Sequence, residues 1–169
     1  VLFRSMDTYS MHVGYTVPGV VTGKPIALGG SQGRNEATAR GAVFCVREAA
    51  KKINLELKGA KIVVQGYGNA GSIAARLISE LGSVVIAVSD SGGGIHNPAG
   101  LDLVAVDAHK KKTGSVVGFP GATPVSNQAI LEIACDVLIP AALENQITSE
   151  NADRVKAKIV AEAANEIGR

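Results

Sequence analysis

The chain has 169 residues, 46% apolar and 19% charged, a length that suits one domain with a sizeable core. Seventeen Lys plus Arg against fifteen Asp plus Glu leave a formal charge of +2. That balance excludes the basic field of a nucleic-acid binder and an acidic tail, and the apolar content excludes a disordered chain. No apolar run approaches the roughly 20 residues of a membrane span, and neither end shows a charged-then-apolar leader. Cys45 and Cys135 form neither a metal-ligand cluster nor a disulfide framework, which reads as a reducing, cytoplasmic setting. Both are expected to be core fillers. His12, His96 and His109 have no second ligand at metal spacing, so surface roles and no metal site are expected.

Residues 1–5 and 166–169 can be encoded by DNA stretches that are reverse complements of one another, so both tails are expected to be non-native. Residues 6–25, with Pro18 and Pro25 around Gly19 and Gly23, read as a hinge or the remnant of a preceding domain. Next, residues 36–53 place Val43, Val46, Ala49, Ala50 and Ile53 at helical spacing. A compact apolar strand, Lys61–Gln65, leads to a helix over 70–81 with Ile73, Leu77 and Leu81 on one face. A second strand comes next, at 84–89. The helix predicted over 101–112 ends in Lys110, Lys111 and Lys112 before Gly114, a lysine run that suits the negative end of a helix dipole and needs no ligand. Ser126 is placed to cap a helix through Ala134, and Thr148 or Ser149 another through about Lys156. Strands at 137–139 and 159–161 complete the order. Such alternation predicts an α/β fold, a Rossmann-like doubly wound, mostly parallel sheet with helices on both faces.

Gly66-Tyr67-Gly68-Asn69-Ala70-Gly71 directly succeeds the first strand and opens a helix. In that context Gly66 makes the tight turn, Gly68 lets backbone approach a pyrophosphate, and Gly71 allows close packing of helix on strand. The helix N-terminus offers N–H groups and partial positive charge to the phosphates. Asp90, about 20 residues further on and just after the second strand, is placed to accept hydrogen bonds from an adenosine ribose. Its alternative role is a cap on the glycine turn behind it. An acid there disfavours the extra phosphate of NADP, so NAD is the expected cofactor, with NADP possible.

The segment Gly29-Gly30-Ser31-Gln32-Gly33-Arg34-Asn35-Glu36-Ala37-Thr38-Ala39-Arg40-Gly41 is similar to the signature that opens the cofactor domain of glutamate dehydrogenases. So are Thr22 to Pro25, the Gly66 turn, Ser89-Asp90-Ser91, Asn97 to Asp102, Asp136 to Ala142 and Glu162-Ala163-Ala164-Asn165. The wider family includes leucine, phenylalanine and valine dehydrogenases. The resemblance implies oxidative deamination of L-glutamate to 2-oxoglutarate and ammonia, with hydride passing to nicotinamide. It also implies a full-length homo-hexamer. The alternatives are the cofactor domain of a leucine, phenylalanine or valine dehydrogenase, or a dinucleotide-binding module that does not catalyse. No segment matches the glycine-lysine region that carries the family's catalytic groups, so no catalytic residue is assigned and the isolated chain is expected to be inactive. Carried over by position, Arg34 and Thr38 resemble the pair near the nicotinamide end and Asn69 a cofactor contact. Ala141 would line the cleft, and Asn165 would approach the nicotinamide amide. The resulting domain plan is 1–25 as tail and hinge, 26–165 as the dinucleotide-binding domain, and 166–169 as a tail.

Overall fold

The computed structural model describes residues 2–164, and the chain divides into two compact units, Val1–Ala37 and Thr38–Arg169. In the first, helix α1 (Leu2–Val13) forms where a hinge is expected from the prolines, which lie beyond its end. The Lys24 ammonium then donates to the carbonyls of Pro18 (2.7 Å) and Val21 (2.5 Å), closing the loop after the Pro18–Val20 turn. Gly30 is required nearby, since a Cβ there would lie 1.9 Å from the carbonyl oxygen of Lys24. Helix α2 (Arg34–Lys52) begins in this unit and continues into the second.

The second unit is built on a six-stranded sheet in the order β4-β3-β2-β1-β5-β6. Its strands are β1 (Lys61–Gln65), β2 (Val84–Asp90), β3 (Gly93–His96), β4 (Thr123–Val125), β5 (Val137–Pro140) and β6 (Ile159–Val160). β1, β2, β5 and β6 pair in parallel, as the alternation of strands and helices predicts. β3 and β4 add an antiparallel edge that the apolar pattern does not announce. Glycines at 92–94 hide the first of these, because they carry no apolar alternation to read. Gly94 nevertheless needs its small size, as a Cβ there would approach Val125 Cγ1 to 2.9 Å.

Helices α2, α3 (Asn69–Ser79) and α4 (Leu103–Thr113) pack Val43, Val46, Ala74, Ile78 and Val106 against Ile62 and Val64 in one core cluster. Val63, Ile86 and Leu138 on the opposite side join Ile130, Leu131 and Cys135 in a second. Two expected helices shrink. Ser126 does accept from the amide of Ala129 (3.1 Å), but the segment it caps is only a 3₁₀ turn, Ala129–Glu132, ended by extended Ile133. The region after Thr148 likewise holds only the Ala152–Arg154 turn, since Thr148 and Asn151 bond each other's main chain and side chain locally rather than starting a helix. Cys45 is also corrected: it lies off the α2 stripe of Ala39, Val43, Val46 and Ala50 and is exposed. Ile53 falls beyond the end of α2 and is half exposed. Cys135 is buried as expected, and burial pushes its thiol up to about 12.

Helix α4 shows how local signals set an element's ends. Asp102 accepts from the amides of Val104 (3.0 Å) and Ala105 (3.1 Å), and Gly114 closes the other end in the left-handed region at φ +86. Replacing Asp102 with alanine should therefore cost about 1 kcal/mol, read as a lower urea midpoint with an unchanged slope.

Candidate functional site

β1 is the switch point of the sheet, with β2 on one side and β5 on the other, and the crevice beyond its carboxyl end is where open α/β sheets take ligands. The three glycines of the turn there differ in what they permit. Gly66 takes φ +94, and a Cβ on it would lie 2.7 Å from the Ala142 nitrogen and 2.8 Å from the Ala141 oxygen. At Gly71 a Cβ would meet the Gly66 carbonyl oxygen at 1.8 Å, so the helix rests directly on the turn. Gly68 is the opposite case. It has extended backbone and nothing within 4 Å of a Cβ position, so its freedom serves the space in front of it.

That space is a cavity of about 400 Å³, lined by Tyr67, Gly68, Asn69, Ser72, Asp107, Lys110 and Lys111. The N-cap residue of α3 there is Gly68, which has no side chain to cap the helix. First-turn amides have no carbonyl one turn back, so they point out of the helix and attract anions. Ser72, whose hydroxyl donates to the Asn69 carbonyl at 3.4 Å, and Lys111 line the same opening, and with the helix amides they make a lining that fits a diphosphate. The turn is held rigidly from behind: Tyr67 N donates to the Ser89 carbonyl, and Gly66 N to the Ser89 hydroxyl at 3.3 Å. Tyr67 is buried, and burial together with its hydrogen bond to Asp107 raises its pKa.

Asp90 stands at the end of β2 as the spacing predicts, but its carboxylate is already engaged. One oxygen accepts from Gly92 N and the Ser115 hydroxyl (both 2.9 Å), the other from Val116 N (2.8 Å) and Lys110 Nζ (3.1 Å). Four donors match the four acceptor sites of a carboxylate, and only 8% of the side chain is exposed. Burial works to raise its pKa, but hydrogen bonds from Val116, Gly92, Ser115 and Lys110 outweigh it and hold the acid below its ordinary value. Lys110 also donates to the Tyr67 carbonyl at 2.7 Å. The lysine run thus does more than complete a helix dipole: Lys110 ties the end of β2 to the glycine turn.

Ala141 and Asn69 also lie in the second unit, Ala141 immediately beyond β5 and Asn69 opening α3. Thr38 is exposed on α2, one helical turn after Arg34. Arg34 is in the first unit, where it lines an open cavity of about 500 Å³ with Lys24, Pro25 and Ser31. Asn165 lies outside the described residues. Among the described residues no group of three or more His, Cys, Asp or Glu is disposed to hold a metal, and no helix is long and apolar enough to cross a membrane. His109 is less free than its expected surface role: its Nε2 bonds the Val117 carbonyl (3.0 Å) and its ring meets Phe119 edge to face.

The Glutamate/Leucine/Phenylalanine/Valine dehydrogenase family profile matches residues 29–167. The chain belongs to this family. It is 53% identical over 161 residues to a glutamate dehydrogenase of Thermotoga maritima, covering 95% of this chain and 39% of that protein. It is 49% identical to a cryptic catabolic NAD-specific glutamate dehydrogenase of Bacillus subtilis, covering 95% and 37%, and 52% identical to an NADP-specific glutamate dehydrogenase of Halobacterium salinarum, covering 94% and 38%. Among solved structures, the hetero-hexameric glutamate dehydrogenase of Thermus thermophilus superposes with a TM-score of 0.83 at 43% identity, covering 95% of this chain and 38% of that one. The chain therefore spans under two-fifths of the length of these relatives.

Within this family member, the Asp90 cluster sets a pH limit. A carboxyl held below its ordinary pKa stabilises the fold above about pH 4, and that stability is lost as pH falls through the lower, folded value. Asp136 adds to the same window, since Lys158 (2.8 Å) and the Lys61 amide (2.8 Å) hold it down as well. Asp90→Asn should flatten the loss of stability below about pH 4 in acid unfolding monitored by circular dichroism. At neutral pH, Lys110→Met should cost about 1.5–3 kcal/mol, the range for a hydrogen bond to a charged group, measured by urea unfolding.

Proposed function

We propose that residues 26–165 form the dinucleotide-binding domain of a glutamate dehydrogenase, whose whole chain oxidatively deaminates L-glutamate to 2-oxoglutarate and ammonia. The observation that carries this reading is the N-terminus of α3, opened by Gly68 and facing open space there, at the β1/β5 switch point. The backbone of Gly66, Gly68, Asn69, Ala70 and Gly71 holds the diphosphate, with the α3 dipole favouring its charge. Arg34 and Thr38 serve the nicotinamide end, Ala141 walls the cleft and Asn165 reaches the nicotinamide amide. The ribose of the adenosine half reaches Asp90 by displacing one of its present donors, of which Lys110 is the most distant at 3.1 Å. The acid at Asp90 disfavours the extra phosphate of NADP, so the cofactor is NAD, with NADP possible because Lys110 offsets part of that charge.

When bound, the nicotinamide supplies a hydride acceptor. What these residues contribute is binding and orientation: a turn that fixes the central diphosphate and a crevice that aims the nicotinamide. Residues 6–25 belong to a hinge toward, or the remnant of, the part that carries the substrate's activating groups.

In fluorescence titration the chain should bind NADH weakly, and it should not oxidise glutamate by itself. Gly68→Val should leave the far-ultraviolet circular dichroism unchanged, because space and backbone both tolerate a side chain, yet weaken NADH binding at least tenfold. Retained affinity in that variant refutes the diphosphate assignment.

A further inference from the structure

Gln65, the last residue of β1, is 2% exposed in a strand whose other buried residues, Ile62, Val63 and Val64, are apolar. Its Nε2 donates to Gln146 Oε1 at 2.7 Å. The Nε2 of Gln146 donates in turn to the Glu144 carbonyl (3.2 Å), and the Gln146 carbonyl accepts from Asn151 Nδ2 (2.8 Å). This chain of amides has a direction. Because the NH₂ group of Gln146 is committed to a backbone carbonyl, its oxygen must face Gln65, and Gln65 must answer with nitrogen. Among the described residues the Gln65 oxygen, Oε1, is enclosed with no partner. An apolar side chain of the same shape would avoid that penalty, so burial alone does not account for a glutamine here. What the amide achieves is a tie between the strand that enters the glycine turn and the segment that leaves β5. That segment backs directly onto the turn, with the Ala141 amide donating to the Gln65 carbonyl at 2.7 Å, and it carries Asn145 in the left-handed region at φ +56.

We infer that Gln65 is a positioning residue of the crevice: through Gln146 it latches residues 144–151 against the β1/β5 switch point, and so holds the wall the dinucleotide packs on. This rests on the reading of the Gly66 turn as the diphosphate site. Gln65 itself is enclosed and acts through the loop.

The test uses this chain with Gln65→Met and, as a variant altered on the half-buried loop rather than in the strand, Gln146→Ala. With Gln65→Met the melting temperature should stay the same or rise, because the unpaired oxygen is gone. The hydrogen-bonded amides of Thr148, Asn151 and Ala152 should exchange at least tenfold faster while those of β1 and β2 stay protected, and the NADH Kd should rise at least fivefold. Gln146→Ala should reproduce the faster local exchange and the weaker binding. A merely structural glutamine would instead lower the melting temperature and speed exchange across the whole sheet. Unchanged exchange at 148–152, or unchanged NADH affinity, in a folded variant overturns the latch. If the unsubstituted chain does not bind NADH, the dinucleotide reading falls and the latch with it; if it binds and both variants bind equally, the latch alone falls.

Discussion

Helix α3 lies so close to the turn before it that the carbonyl of Gly66 occupies the volume a side chain would need at residue 71. The geometry of the site depends on that contact. It brings the amide end of the helix to the end of β1 instead of a side chain's width away, and it commits Gly66 to a left-handed backbone that also lets the exit of β5 pass within van der Waals reach. A bulkier residue at either position would push helix, strand and loop apart together. The site is therefore a product of tight packing in the core, where dense interiors transmit even small displacements.

Around this frame the charges are arranged in pairs rather than left as a field. Lys110 reaches from α4 to both Asp90 and the Tyr67 carbonyl, so the end of β2 and the glycine turn share one cation. Asp107 on the same helix holds the Tyr67 hydroxyl. Helix α4 thereby braces the turn, and Ser89 holds its first two amides. The unfilled space in front of Gly68 is what remains once these braces are in place. Family membership is consistent with such a preorganised turn, and the relatives extend well beyond the part matched by this chain.

Much of this was legible in residue order. The apolar runs at 61–65, 84–89 and 137–139 became parallel strands because strands buried on both faces carry few polar positions to confuse the reading, and the run at 159–161 became the short edge strand β6, with Val160 exposed. The Gly66 to Gly71 spacing placed the turn, and Gly114 placed the end of α4. The short antiparallel strands escape notice because glycines and a proline carry no alternation. The 3₁₀ turns read as helices because a cap signal says where a helix could start and nothing about how far it runs.

By itself the sequence determined the fold class, the glycine turn and the acid at the end of β2, since each depends on near neighbours in the chain or on a periodic pattern. Only the tertiary structure decided that Asp90 is saturated by Ser115, Val116 and Lys110, that Cys45 faces outward, and that Gln65 finds Gln146 far along the chain. Those are contacts between distant segments. Hydrogen bonds and ion pairs of that kind act over a few ångströms in space and leave no spacing in the order of residues.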